Sequence, residues 1–214
     1  LRNSSNASRT VDCSQTHTAV TIAVDDLPDR FADSERDDTA LEDFVQETCA
    51  AAFARYLGAD ESTAMRTMLG WAWFRPSEKA WADGARWYRC DLTGGTTASR
   101  SLLDLPEDAA ELLAGVPDDR WMACAVGSRF DGAPRVPCSQ KHDWRAVTTI
   151  KVGEADDAYP GDAVVQRRTK AYCQGSVAAW LRYPVTYELG YTWFHRSEWE
   201  LGNRRSVCWA GTTH

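Results

Sequence analysis

The pattern of apolar and polar residues predicts four elements in the first part of the chain, in the order strand, helix, strand, strand. Strands are expected over residues 11–24, 68–74 and 86–92, and a helix over residues 39–56. The first strand shows Val, Thr and Ile in partial alternation, whereas the helix has its apolar residues at helical spacing. Thr39 and Glu42 predict a capping box at the helix start, and Gly58 predicts its end.

The second part of the chain predicts the same order of elements behind one additional strand. Strands are expected over residues 121–126, 136–152, 187–194 and 205–210, and a helix over residues 162–181 with Asp162 as its cap. Between the two parts, acidic residues in the first turn of 106–113 predict a short helix. We therefore expect an α+β fold with two homologous repeats, each a small antiparallel sheet with one packed helix.

The two parts are copies of one another. Residues 70–78 read GWAWFRPSE and residues 190–198 read GYTWFHRSE. Each stretch is followed by the pattern Trp, Gly, Arg, Cys at matching spacing, namely Trp81, Gly84, Arg86 and Cys90 and then Trp199, Gly202, Arg204 and Cys208. The offset is 125 at the first shared cysteine (138 minus 13) and 118 at the last (208 minus 90). This indicates a tandem duplication, with a first repeat at 1–96, a linker at 97–119 and a second repeat at 120–214.

Charge and hydropathy argue against two classes of function. The chain of 214 residues has a net charge of −7, which argues against the basic surface that nucleic-acid binding needs. No apolar run approaches the ~18 residues of a membrane-spanning helix, and the chain begins at Leu1 rather than at Met. We therefore expect no nucleic-acid partner, and contact with a membrane only through a removed or absent N-terminal segment.

The seven cysteines predict disulfide bonds and an extracytoplasmic location. No Cys-x-x-Cys pair occurs, and neighbouring cysteines shared by the repeats lie 35 to 41 residues apart, which argues against zinc ribbons and thioredoxin-like sites. Long-range disulfides suit this spacing and are typical of exported proteins. The counterpart of Cys124 in the first repeat would precede Leu1 (13 minus 14). We favour the pairs Cys138–Cys173, Cys124–Cys208 and Cys13–Cys49, with Cys90 unpaired; the rival is Cys90–Cys124, with Cys208 free.

The duplicated stretch Cys-Ser-Gln-x-His is the one place where the residue types suggest a reaction. It runs from Cys13 to His17 and from Cys138 to His142, and a thiolate activated by a histidine is a nucleophile. On a strand, however, residues four apart are separated by about 13 Å, too far for a hydrogen bond. We therefore expect no catalytic residue and treat both histidines as structural. We also expect no metal or cofactor site, because the sequence lacks a metal-ligand cluster and a phosphate-binding loop.

Tryptophan is frequent, with ten residues. Aromatic rings can stack on the sugars of a cell-wall polymer, but small sheets also fill their cores with them, and we favour core packing. The candidate binding surface comprises Trp73, Trp81, Trp193, Trp199, His17 and His142.

These motifs together resemble the septum-formation family of actinobacteria. The resemblance lies in Val-Asp-Cys13-Ser-Gln-Thr-His17, the helical Cys49, and the stretch from Pro76 to Cys90, and it returns between Cys124 and Cys208. The second copy departs from the first in having Arg196 where the first has Pro76. The resemblance implies an exported or membrane-anchored domain with a role near the division septum, and it carries no catalytic residues.

The resulting hypothesis is a non-catalytic extracytoplasmic binding or scaffold protein of the cell envelope, secreted or membrane-anchored. Its partner would be an envelope or divisome protein, or a cell-wall glycan. The alternative is a cell-envelope hydrolase with catalytic residues that the motifs do not reveal.

Overall fold

The computed structural model describes residues 10–95 and 102–212. The strands are β1 (Ala19–Asp26), β2 (Gly70–Phe74), β3 (Trp87–Thr93), β4 (Ala123–Ala125), β5 (Arg135–Pro137), β6 (Trp144–Lys151), β7 (Leu189–Thr192) and β8 (Arg205–Gly211). The helices are α1 (Thr39–Tyr56), α2 (Glu61–Ala64), α3 (Glu78–Ala82), α4 (Asp162–Trp180) and α5 (Arg196–Glu200). No helix in these two ranges has the length and apolar character needed to cross a membrane.

The repeats form two antiparallel sheets with a common arrangement. The first sheet has the order β1-β3-β2, and the second has the order β5-β4-β6-β8-β7, in which β6-β8-β7 reproduces the first. Both sheets carry a bulge at the same place, between Thr21 and Ala23 in β1 and between Ala146 and Thr148 in β6. The α+β prediction is therefore confirmed, with α1 and α4 as the long helices packed on the two sheets.

Helix α1 has the predicted bounds but a different cap. Asp38 is the N-cap, and its carboxylate accepts a hydrogen bond from the Ala40 N–H at 2.8 Å. The predicted capping box of Thr39 and Glu42 is therefore wrong, and Glu42 pairs with Arg75 at 3.3 Å instead. The buried face of the helix consists of Leu41, Val45, Cys49, Ala52 and Phe53.

Several other predicted elements differ in the structure. The single strand expected over 136–152 is split into β5 and β6 by a turn at 138–143, and the first strand begins at Ala19, after a turn that holds Cys13. Residues 106–113 form turns rather than a helix. Gly161, not Asp162, is the N-cap of α4. Short helices α3 and α5 follow β2 and β7, where only breaks were expected.

The disulfide pairing differs from the expected one. The bonds are Cys49–Cys90, Cys124–Cys138 and Cys173–Cys208, and Cys13 is exposed and unpaired. The predicted pairs Cys138–Cys173, Cys124–Cys208 and Cys13–Cys49 are wrong, as is the rival Cys90–Cys124. The reason is the turn at 138–143, which separates Cys138 from β6 and leaves it beside β4, where its N–H donates to the Met122 carbonyl at 3.0 Å. The helix cysteines then face the central strand of the three that the repeats share, β3 in the first sheet and β8 in the second.

The helix-to-strand bonds are equivalent in the two repeats. Cys49 and Cys90 have their Cα atoms 5.4 Å apart, and Cys173 and Cys208 have theirs 5.2 Å apart. Each closes a loop of 41 or 35 residues, which contributes roughly 3–4 kcal/mol in the chain-entropy treatment. Three disulfide bonds in one chain suggest a protein that folds outside the cytoplasm.

The segment assigned as a linker packs into the first repeat. Leu105, Ala109 and Leu113 lie in one buried cluster with residues of α1, β2 and β3, and Trp121 joins them. The N–H of Leu113 also donates to the Leu57 carbonyl at 2.9 Å. That the two repeats, divided at 96 and 120, fold independently stays a prediction. The buried core of the first repeat nevertheless includes residues beyond these boundaries.

The two repeats also exchange contacts at their junction. Met68, from the first repeat, is buried in the cluster formed by the strands of the second sheet. Its N–H donates to the Trp121 carbonyl at 2.7 Å, and the Ala123 N–H donates to the Arg66 carbonyl at 2.8 Å. Arg205 in β8 pairs with Glu61 in α2 at 2.6 Å. The repeats therefore share packing and hydrogen bonds.

Alkylation of the folded, non-reduced protein is expected to modify Cys13 alone, since the other six thiols are bonded. A proteolytic digest analysed by mass spectrometry should show the three cross-linked peptides. An alkylated Cys90, or a peptide that joins Cys138 to Cys173, would contradict the structure.

Replacing Leu113 by Ala should lower the free energy of unfolding by about 2–5 kcal/mol, because the side chain is only 2% exposed in an apolar cluster. Val116→Ala is the matched control, since Val116 is 97% exposed and should change stability by less than about 0.5 kcal/mol. Urea unfolding measures both. Equal stability of the two variants would show that the segment does not belong to the core.

Candidate functional site

The duplicated Cys-Ser-Gln-x-His stretch does not form a cysteine–histidine pair in the second repeat. Cys138 is bonded to Cys124, so it carries no thiolate. The rings of His17 and His142 are buried, and each Nδ1 donates to the carbonyl oxygen two residues earlier, at 2.8 and 2.7 Å. The histidines therefore fix the turns that precede β1 and β6. Within the described ranges, no group of three or more His, Cys, Asp or Glu side chains could hold a metal ion.

Two of the candidate tryptophans lie in the core. Trp81 is 8% exposed and Trp199 is 5% exposed. The guanidinium carbon of Arg86 lies 4.0 Å from the centre of the Trp81 ring, and that of Arg204 lies 3.7 Å from the centre of the Trp199 ring. Cation–π contact on one face and apolar packing on the other leave neither ring available as a binding platform.

The same arginines hold the turns that enter the middle strands. Arg86 donates to the carbonyl oxygens of Ala32 at 3.0 Å and of Trp81 at 2.9 Å. Gly84 has φ +94° and Gly202 has φ +88°, a region that side chains rarely adopt. The Trp-x-x-Gly-x-Arg motif is therefore a structural turn in both repeats.

A cleft of about 810 Å³ runs along β7 in the second repeat. One wall is β7 itself with Trp193, and the other is residues 130–135, which belong to the loop between β4 and β5 and to the start of β5. Gln166 of α4 completes the lining. The lining thus combines aromatic, polar and charged side chains, as ligand sites do.

Phe130 holds this loop against the face of the sheet. The centre of its ring lies 5.5 Å from that of Trp144 in β6 and 5.2 Å from that of Trp209 in β8. A Cβ atom on Gly190 in β7 would lie 2.3 Å from the Phe130 ring. The absence of a side chain at Gly190 therefore allows the ring to reach the strand.

Arg135 lies in the cleft without a counter-ion. Its guanidinium carbon is 3.8 Å from the centre of the Trp209 ring and 5.0 Å from that of Phe130. Burial lowers the pKa of Arg135 to about 10, so the group remains charged at neutral pH. Among the described residues, no carboxylate forms an ion pair with it, and its buried Nη1 atom has no hydrogen-bond partner. Because a partly buried cation without an anion is unfavourable, this group is suited to an anionic ligand.

The first repeat neutralises its comparable arginine internally. Arg89 in β3 stacks on Phe74 at 4.4 Å and pairs with Asp91 at 3.0 Å. Asp91 corresponds to Trp209 in the second repeat (209 minus 118). The second repeat therefore has neither member of this ion pair at the equivalent positions, which hold Val207 and Trp209.

Trp193 is the candidate tryptophan that lines the cleft. The ring of His195 lies 4.2 Å from it, and the Nδ1 atom of His195 lies 3.1 Å from Asp162. The Tyr159 hydroxyl donates to the same carboxylate, and these two hydrogen bonds lower the pKa of Asp162. Desolvation and the bond to Asp162 raise the pKa of Tyr159 to about 12, so at neutral pH the tyrosine is protonated and the aspartate is ionised. Trp73, the equivalent of Trp193, stacks on Arg75 at 5.0 Å and lies outside the cleft.

A second cleft, of about 700 Å³, lies where the repeats meet. Its lining is mostly apolar and includes the outer face of α1, Trp71 of β2 and Leu201 after α5. It contains none of the six residues of the predicted binding surface.

The residues that shape the first cleft were missed by the sequence analysis, with the exception of Trp193. Phe130 and Arg135 belong to a loop and strand that have no described counterpart in the first repeat, so the duplication did not mark them. The available signal was the exchange of Asp91 for Trp209 at equivalent positions on the middle strands.

Trp81→Ala should lower the free energy of unfolding by about 3–5 kcal/mol, because the ring is buried. Gly84→Ala should cost about 1 kcal/mol through backbone strain alone, since open space surrounds the added methyl group. Lys79→Ala is the control, because Lys79 lies in the same short helix α3 as Trp81 and its side chain is 89% exposed. Thermal melts check all three, and an unchanged melt for Trp81→Ala would mean that the ring is a surface platform.

Comparison with curated proteins and with solved structures finds no match. The family model described as septum formation does match, over residues 1–75 and 68–208, so that the two segments together reach from 1 to 208. This agrees with the motifs shared by the repeats and with the disulfide-bonded α+β fold of both. The chain belongs to the septum-formation family.

Proposed function

We propose that this protein is a non-catalytic binding or scaffold protein of the cell envelope, acting outside the cytoplasm in septum formation. The cleft along β7 is the observation that carries the proposal, because it combines an aromatic wall with an arginine that lacks a counter-ion. Its partner is an envelope or divisome protein, or a cell-wall glycan.

The disulfide bonds and the family support the location. The three disulfide bonds link six of the seven cysteines, which suits an oxidising compartment. The septum-formation family supports the process. Neither observation identifies the partner, so the cleft is the place to look for it.

The lining of the cleft supports binding rather than catalysis. Glycoside hydrolysis typically uses two carboxyl groups on opposite sides of the bond, whereas among the described residues the lining contains one carboxylate, Asp131, which is exposed. Of the two cysteines that the motif offered as nucleophiles, Cys138 is held in a disulfide bond away from β7, and Cys13, which is free and exposed, is not part of the cleft lining.

A hydrolase is the second candidate, and one observation favours it. His195 and Asp162 form a hydrogen-bonded pair at 3.1 Å beside Trp193, an arrangement that can serve as a general base and its orienting group. Both side chains are more than half exposed, which fits a surface ion pair equally well.

Equilibrium binding to purified cell-wall glycan and to solubilised envelope proteins tests the proposal, with mass spectrometry of the supernatant to detect released fragments. Binding without release is expected, and Trp193→Ala should weaken it about tenfold if the ring contributes a typical aromatic anchor. Trp180→Ala is the matched control, because Trp180 is 47% exposed at the end of α4 and is not part of the cleft lining. Release of fragments that His195→Ala abolishes would establish the hydrolase instead.

A further inference from the structure

We infer that the cleft along β7 binds an extended peptide that carries a carboxylate, by strand pairing with β7 and an ion pair with Arg135. The inference rests on the proposed binding function and names the ligand class of the same site. Two independent features carry it, the edge of the sheet and the unpaired arginine.

Strand β7 is an edge strand. It pairs with β8 on one side and ends the second sheet on the other. All four of its residues, Leu189–Thr192, line the cleft, so its outer edge faces the recess rather than a neighbouring strand. An edge strand in a recess is the arrangement by which folded domains accept an extended peptide as an additional strand.

The register identifies the backbone groups that a peptide would use. The Gly211 N–H donates to the Glu188 carbonyl at 2.9 Å, and these residues are opposite one another in the antiparallel register of β7 with β8. Hydrogen-bonded and non-hydrogen-bonded pairs alternate along such a ladder, so Gly190 and Thr192 direct their backbone groups towards β8. Leu189 and Tyr191 therefore direct their N–H and C=O groups outward, into the cleft.

Arg135 selects for a carboxylate. A guanidinium offers a planar fork of donors that matches the two oxygens of a carboxylate. Arg135 lies over the Trp209 ring and beside the Phe130 ring, contacts that orient the group, and its Nη1 atom lacks a hydrogen-bond partner among the described residues. A carboxylate in the cleft would supply the missing anion.

The first repeat provides an internal contrast. Strand β2 is likewise an edge strand, since its sheet has the order β1-β3-β2. Its neighbouring arginine, Arg89, forms an ion pair with Asp91 at 3.0 Å, so its charge is already neutralised, although its Nε and Nη2 atoms have no hydrogen-bond partner among the described residues. Acid-dependent peptide binding should therefore be confined to the second repeat.

An array of acetylated pentapeptides tests the inference, with each acidic peptide accompanied by a twin in which Asp or Glu is replaced by Asn or Gln. The protein should bind a subset of acidic peptides about tenfold or more tightly than their twins, as expected for a charge-assisted hydrogen bond. Arg135→Gln should remove this preference. Arg129→Gln, an exposed arginine outside the cleft, makes the same charge change and should keep it.

Modified peptides test the strand pairing without altering the protein. In a bound peptide, N-methylation of the amides that donate to β7 should abolish binding. N-methylation of the intervening amides, which point away from β7, should leave binding unchanged. Backbone amide signals of Leu189 and Tyr191 should shift on addition of the unmodified peptide. Arg135→Lys, which keeps the charge but loses the fork, should retain part of the acidic preference and guards against misfolding of Arg135→Gln.

The outcomes separate this inference from the proposed function. Absence of any acidic preference on the array, or an acidic preference that Arg135→Gln leaves intact in a folded protein, overturns the carboxylate assignment. Binding that is insensitive to N-methylation overturns the strand pairing. Binding of cell-wall glycan without binding of any peptide leaves the proposed function standing and refutes the peptide ligand.

Discussion

The bond between the long helix and the middle strand is the interaction on which each repeat depends. Cys49–Cys90 ties α1 to β3, and Cys173–Cys208 ties α4 to β8. Each of these two strands has a neighbour on both sides, so one covalent link positions the helix against three strands. The Trp-x-x-Gly-x-Arg turn leads directly into the same strand. Helix, turn and strand therefore form one unit, which explains why these residues persist in both copies.

Local patterns were sufficient for the parts of the fold that depend on local physics. The bounds of α1 followed from its apolar spacing. The cysteine partners could not be predicted in the same way. They depend on the turn at 138–143, which interrupts the single strand expected over 136–152.

The cleft was beyond sequence reasoning for a different reason. Arg135 lies over the Trp209 ring because the β4–β5 loop crosses the sheet towards β7, where Phe130 fits over Gly190. Both contacts join residues distant in the chain, so periodicity carries no trace of them. The two repeats thus keep one scaffold, and in the second the β4–β5 hairpin forms a recess that the edge of the sheet completes.

The exchange of core residues at the junction has a consequence for the ancestry of the chain. Dividing the chain before Trp121 would remove that ring from the core of the first repeat. Dividing it after Ala125 would remove two residues of β4 from the core of the second repeat. Met68 would be lost to the second core in either case. The duplication remains legible in the sequence, yet each copy now contributes side chains to the core of the other, so that a cut on either side of residues 121–125 removes buried residues from one of the two cores.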